Sequence, residues 1–377
     1  MTPNKLQKLK RMSGDFLRAV KYDAEREVIG KTVPLKPHIV NFLVNDICNS
    51  KCKMCMIWKM KKDKEVTPEE ISRIFADELF TEVRYIGVSG GEPTLRADLP
   101  AIYEAICTSL PRLVGTGIIT NAIQEKQVIA RIESSVEVCR SHGKPFNVMV
   151  SLDGVGEVHD LNRGRPGNFT TAMNVIRHFR DQTDVPVSVG CTITKHNIWH
   201  VSELLEFCRN ENVYVRFRVA EFINRLYNEV ETETIRNFSA GERYQLSIFF
   251  FQLETEYETN STIQRTYQSI RSMLSGESGR LTGCPYQSRG VVVDSRGQLM
   301  YCAPKSRVLG NALEKSAAQI FAQNLNERRR IRHEDCHNCI HDYHAGITLS
   351  EFVRKYTNTA FQYALNFSNS LKLTRST

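Results

Sequence analysis

The chain has 377 residues, 41% of them hydrophobic and 24% charged, with a formal net charge of +8. This is the composition of a folded globular protein and excludes disordered or fibrous chains. No run of about 18 apolar residues is present, which excludes a membrane-spanning helix; the first residues, MTPNKLQKLKR, lack the apolar core of a secretory signal, so a cytoplasmic location is expected.

The first 35 residues carry a helical pattern and read as an N-terminal extension. From His38 the chain alternates β-rich runs with helix-periodic segments. The β-rich runs are 38–45, 83–89, 113–120, 146–152, 185–193 and 213–219. Thr67-Pro68-Glu69-Glu70 marks one helix start, with a capping residue, a proline at the first helical position and a glutamate at the third. Six strand–helix units in succession predict parallel strands joined by right-handed crossovers. They are too few to close an eight-stranded barrel. The predicted fold class is therefore α/β, an open partial (β/α)6 barrel over residues 36–222 with its active site at the C-terminal strand ends. A helical connector follows over 223–280, ending in the Gly/Ser-rich break SGESGR. Residues 281–377 are expected to form a small α+β domain with a C-terminal helix. It opens with a hairpin, RGVVVDSRGQLMYC, turning at Ser295-Arg296-Gly297.

Three basic runs, Lys5–Arg11, Lys59–Lys64 and Arg328–Arg332, are not interleaved with aromatic residues. They are expected to be solvated helix faces rather than a nucleic-acid surface.

Eleven cysteines are many for a reducing compartment, where structural disulfides are disfavoured. Cys107, Cys139, Cys191 and Cys208 stand singly among apolar segments and read as small buried hydrophobes. The other seven form two groups. Cys48, Cys52 and Cys55 follow the first strand within eight residues. Three thiolates on such a loop can hold three irons of a [4Fe–4S] cube and leave the last iron open to a small molecule. A zinc site would need another ligand nearby, and no histidine follows until His142.

This CxxxCxxC loop resembles the signature of the radical S-adenosylmethionine (SAM) superfamily. The resemblance implies that the open iron chelates the amino and carboxylate groups of SAM, and that reduction cleaves SAM to a 5′-deoxyadenosyl radical. Ser89-Gly90-Gly91-Glu92-Pro93, closing the second strand, is similar to the family's motif for the SAM amino group. It implies close backbone approach at the glycines and a negative charge from Glu92. Ser151-Leu152-Asp153-Gly154 closes the fourth strand and resembles the ribose-contacting motif, which implies Ser151 and Asp153 as hydroxyl partners. Residues 159–169, HDLNRGRPGNF, resemble the loop that trails that motif, and Thr120-Asn121 ends the third strand as in such enzymes. One position departs from the family: the residue before the third cysteine is often aromatic, and here it is Met54, which leaves the adenine contact to a thioether.

The second group is Cys284, Cys302, Cys336 and Cys339. The hairpin brings the first two together, and the CxxC in HEDCHNCIHDYH closes a four-thiolate shell. This arrangement is similar to the Twitch domain, a shortened SPASM domain, and implies one auxiliary [4Fe–4S] cluster, two clusters in all. A structural zinc is the alternative, with His337, His341 and His344 as substitute ligands. A cluster with every iron ligated cannot chelate substrate, so it is expected to accept or relay an electron, and net oxidation is the expected outcome. The spacing resembles that of a radical SAM dehydrogenase acting on an amino-cyclitol alcohol.

Arg216 and Arg218 lie two apart in the sixth strand and share a face. They are expected at the barrel mouth, ready for a carboxylate or phosphate. Arg163 and Arg165 are candidates for SAM or substrate. With 47 residues before Cys48, no room is expected for a leader-peptide-binding domain. A small polar metabolite is therefore the expected substrate, a peptide the alternative, and a flavodoxin or ferredoxin the expected electron donor. A non-enzymatic iron–sulfur or zinc protein is a third reading, which detection of 5′-deoxyadenosine would exclude. No residue declares itself as the acid or base.

Overall fold

The structure, a computed structural model, describes residues 3–59 and 64–357. Residues 60–63 of the second basic run lie outside the described residues, as do the side chains of the first basic run; of the expected C-terminal helix, residues 349–357 are described and helical.

Strands β1 (Ile39–Leu43), β2 (Tyr85–Ser89), β3 (Gly115–Thr120), β4 (Phe146–Ser151), β5 (Val187–Ile193) and β6 (Val215–Val219) fall inside the six β-rich runs. All are parallel, each paired with its sequence neighbour. Their outward positions, among them Phe42, Ile86, Val148, Val189 and Phe217, are at most 1% exposed beneath the helices. Their inward positions are small or polar. Asn41, Gly87, Gly117 and Asn147 stand side by side across β1 to β4 in register. That alternation buries an apolar outer face and leaves the interior hollow.

The helix Pro68–Phe75 starts as predicted. Thr67 Oγ1 accepts from the Glu70 amide at 3.3 Å, and the Glu70 carboxylate accepts from the Thr67 amide at 2.9 Å. The helical connector expected over 223–280 carries two α-helices, Ala240–Gln252 and Ser261–Ser275. Asn260 breaks the run because its side chain accepts from the Thr262 amide and starts a second helix.

The C-terminal hairpin does not form a sheet of its own. β7 (Gly290–Val293) pairs in parallel with β1, and β8 (Gln298–Met300) and β9 (Gly310–Asn311) extend the same sheet antiparallel. An open barrel leaves β1 with unpaired backbone groups, and β7 satisfies them. The boundary expected near residue 281 therefore crosses one continuous nine-stranded sheet. The N-terminal helix, Pro3–Asp23, is joined to this C-terminal region: Tyr22 Oη donates to the Cys284 carbonyl at 3.1 Å, and the Leu349 amide to Asp23 Oδ2 at 2.7 Å.

The third basic run is not a solvated face. Arg328 is 2% exposed, Arg330 is bound by Glu327, Glu334 and Asp335, and Arg332 pairs with Glu27. The run lies between the N-terminal extension and the hairpin, where periodicity alone could not place it. Among the described residues no helix is long and apolar enough to cross a membrane.

Thr67→Ala removes one side of the capping box and is expected to cost about 1 kcal/mol, read as a lowered midpoint in urea unfolding.

Candidate active site

The C-terminal ends of the barrel strands open onto a cavity of 460 Å³. Its wall carries Cys48, Cys52 and Cys55, Ser89 to Glu92, Ser151, Arg163, Arg216 and Arg218, so most residues singled out in the sequence meet there. Met54 lines it too, beside the cysteines. Pro93 and Asp153 do not: both are buried, Pro93 opening the short turn Pro93–Leu95.

The cysteine loop hangs on the segment after β4. The Lys51 and Lys53 amides donate to the carbonyls of Arg163 and Asn162 at 3.0 and 3.1 Å. Polar groups surround the sulfurs. Ser50 Oγ lies 3.1 Å from Cys52 Sγ, Arg163 Nη1 3.8 Å from the same atom, and Asn121 Nδ2 3.7 Å from Cys48 Sγ. Donors and a cation at the sulfurs suit thiolates bound to iron, and the residues present fit a cluster with one open iron. Burial otherwise pushes the Cys48 thiol up to about 12 and the Cys55 thiol to about 11, so ligation must displace protons.

Gly90 and Gly91 allow a close approach, but to the chain itself. A Cβ at Gly90 would strike Asn45, and one at Gly91 the backbone of Ile47. The Gly91 and Glu92 amides donate to the Asn45 and Ile47 carbonyls, each at 2.8 Å, locking the loop after β2 onto the strand exit that carries Cys48. The Glu92 carboxylate, 1% exposed, is occupied rather than free for an ammonium. It accepts from the Thr94 amide and hydroxyl (3.1 and 2.7 Å), the Thr120 hydroxyl (2.9 Å) and the Asn121 amide (2.6 Å). It ties the ends of β2 and β3 together.

Asp153 is likewise engaged. Its carboxylate accepts from the Thr192 amide at 2.8 Å and Asn162 Nδ2 at 3.0 Å, and lies 2.6 Å from Arg163 Nε. Ser151 is left on the cavity wall as the member of that motif facing the ligand space. Arg163 in turn reaches Cys52. Burial works against its charge, but Asp153 and Cys52 outweigh that and hold its pKa above the ordinary value. Arg165 is bound by the Asn49 carbonyl and does not line the cavity.

Arg216 and Arg218 both face the cavity, as their shared face predicts, but differ in their partners. Arg216 pairs with Asp342 at 2.7 Å and contacts His344 Nδ1 at 2.9 Å. Burial would raise the Asp342 carboxyl, yet Arg216 and His341 hold it well below the usual range. Arg218 donates through Nε to Thr192 Oγ1 at 3.1 Å. Another cavity arginine, Arg225, pairs with Asp46 at 3.3 Å.

Cys284, Cys302, Cys336 and Cys339 line a second, smaller cavity, together with Arg280, Lys305, Arg328 and Arg332. Tyr286 and Tyr343 line both cavities and form the wall between them, their ring centroids 4.6 Å apart; His341 stacks on Tyr343 at 3.7 Å. Burial pushes the Cys302 thiol up to about 12. Among the described residues no three or more His, Cys, Asp or Glu side chains are gathered to hold a single metal ion. The four thiols line that cavity together.

Sequence reading missed Arg225, Glu221, Asp342 and the two tyrosines. Arg225 and Glu221 lie in polar stretches without a motif, and nothing local marks them. The histidines of HDYH were visible beside the CxxC, whereas the intervening Asp342 and Tyr343 gain their place only from the segment's path along the cavity. Asp153→Ala would strand the Arg163 guanidinium in the interior. It is expected to destabilise the apoprotein by about 3–5 kcal/mol, measured by chemical denaturation.

Residues 42–208 match the family model described as the Radical SAM superfamily. Among curated proteins, the chain is 25% identical over 203 residues to the sporulation killing factor maturation protein SkfB of Bacillus subtilis, covering 54% of this chain and 47% of that protein. It is 22% identical over 297 residues to the antilisterial bacteriocin subtilosin biosynthesis protein AlbA of the same organism, covering 76% and 60%. The chain thus spans about half the length of these relatives. Among solved structures, anSMEcpe with bound AdoMet superposes with a TM-score of 0.57 at 17% identity, covering 88% of this chain and 99% of that one. Streptococcus suis SuiB bound to the precursor peptide SuiA gives 0.56 at 15% identity, covering 78% and 67%. These likenesses share the parallel sheet with surrounding helices seen here. Over residues 42–208, the chain is similar to the radical SAM superfamily.

Proposed function

We propose that the chain uses SAM and two iron–sulfur clusters for the net oxidation of a peptide substrate held in the barrel cavity. The observation that carries this reading is the shared wall: Tyr286 and Tyr343 face both the cavity of the CxxxCxxC loop and the cavity of the C-terminal cysteines. The bound cofactors supply the redox chemistry, reductive cleavage of SAM to a hydrogen-abstracting 5′-deoxyadenosyl radical at the first cluster and an electron sink at the second.

The chain's own residues do the rest. Cys48, Cys52 and Cys55 hold the first cluster, with Ser50, Asn121 and Arg163 supporting the sulfurs. Residues Ser89 to Gly91 and Ser151 offer the polar edge for SAM. Arg163, paired with Asp153, serves the cluster loop more directly than a substrate. Arg216 is committed to Asp342, which leaves Arg218 as the cavity arginine best placed for an anionic substrate group.

A peptide substrate is supported by the relatives, since SkfB and AlbA are named for peptide maturation and bacteriocin biosynthesis and SuiB was solved with its precursor peptide. A small polar metabolite is the second reading. It is favoured by the 460 Å³ volume, within the roughly 300–1,000 Å³ of small-molecule pockets.

Iron and sulfide content after anaerobic reconstitution tests the two-cluster reading. The parent chain is expected to bind about eight irons, and a Cys48→Ala/Cys52→Ala/Cys55→Ala variant about four, with no 5′-deoxyadenosine formed. About four irons in the parent and almost none in the variant would remove the second cluster, and the oxidation with it. Arg218→Gln is expected to leave 5′-deoxyadenosine formation without substrate unchanged while weakening turnover of candidate substrates, read as product by mass spectrometry.

A further inference from the structure

The least explained charge in the molecule is Arg328. Its side chain is 2% exposed and packs against the rings of Tyr301 and Phe321, 4.2 and 4.5 Å from their centroids, the two rings touching each other at 4.9 Å. Its terminal nitrogens donate to the carbonyls of Ser288 and Gly290 at 3.1 and 3.3 Å, and its Nε has no hydrogen-bond partner. Among the described residues no carboxylate pairs with it. A buried guanidinium in that state is costly, and two ring faces offset only part of the cost. The other cations on the same cavity have fuller sets of partners, Arg280 from carbonyls alone. Arg332 pairs with Glu27 at 2.7 Å, and Lys305 lies 3.9 Å from Glu221. Arg280 is bound by the carbonyls of Thr282, Cys339, His341 and Tyr343.

What Arg328 does share with its surroundings is a cavity lined by four cysteines. A cube held by four thiolates is an anion, and reduction makes it more negative by one charge. We propose that Arg328 is the built-in counter-charge of an iron–sulfur cube held by Cys284, Cys302, Cys336 and Cys339, and that it raises the reduction potential of that cube. This rests on the two-cluster reading above and deepens it. Arg328 touches no reacting atom. It acts on the cluster through charge, favouring the reduced, more negative state and so making the cube a better electron acceptor. The two aromatic rings fix the guanidinium in place and keep water from screening it.

The test uses the full chain, reconstituted anaerobically in the Cys48→Ala/Cys52→Ala/Cys55→Ala background, so that only the C-terminal cysteines hold iron. The readouts are iron content and an EPR-monitored redox titration. R328M is expected to retain about four irons and to titrate lower by about tenfold in the reduction equilibrium, about 59 mV for a one-electron couple. R328K, which keeps the charge, and R329M, an exposed control on the same helix, are expected to titrate with the parent. An R328M potential equal to the parent's at full iron content overturns the proposal and leaves the two-cluster reading standing. If R328M fails to hold iron, R328Q and R328K decide: loss in R328Q with retention in R328K supports the counter-charge, and equal loss in all three makes Arg328 a packing residue. A background chain that binds no iron overturns the cluster reading, and this proposal with it.

Discussion

The site depends on how the loop after β2 is mated to the exit of β1. Gly90 and Gly91 let two backbones touch, and two amide-to-carbonyl bonds of 2.8 Å fasten them. The Glu92 carboxylate then draws the end of β3 into the same knot through four donors. A carboxylate this buried is tolerable only because every donor is preplaced, two from the turn at Thr94 and two from the end of β3. The cysteine loop inherits its position from that knot.

A second buried charge system supports the same loop from the other side. Asp153 and Arg163 form an ion pair behind the cavity wall, with Asn162 and the Thr192 amide taking the remaining carboxylate capacity. Pairs of this kind contribute little net stability and much specificity of arrangement. Here the arrangement brings a guanidinium within 3.8 Å of Cys52 Sγ. Asp153 thus sits one layer back and holds Arg163, which lines the cavity.

The C-terminal region reaches the same cavity by joining the barrel. Because β7 pairs with β1, the segment after the CxxC runs along the barrel mouth, and Asp342 meets Arg216 across it. That ion pair, the His341–Tyr343 stack and the Tyr286–Tyr343 contact give the two cysteine groups a common wall. The two cysteine-lined cavities are therefore separated by packed side chains, Tyr286 and Tyr343 lining both.

Much of this was legible in the chain. The six barrel strands follow from β-branched runs whose outer face must be covered, and the Thr67 cap from residue types that satisfy open helix amides. The first cysteine loop is local, eight residues on one turn, so spacing alone carries its chemistry. Arg216 and Arg218 share a face because a strand repeats every two residues. The sequence by itself determined these elements, since each is decided within a few residues of the chain. Only the tertiary structure decided which charges are free. Glu92 and Asp153 are occupied, Arg216 is paired and Arg328 is buried without a carboxylate, because their partners arrive from segments tens to hundreds of residues away. No local pattern encodes a partner brought in by the closing of a sheet.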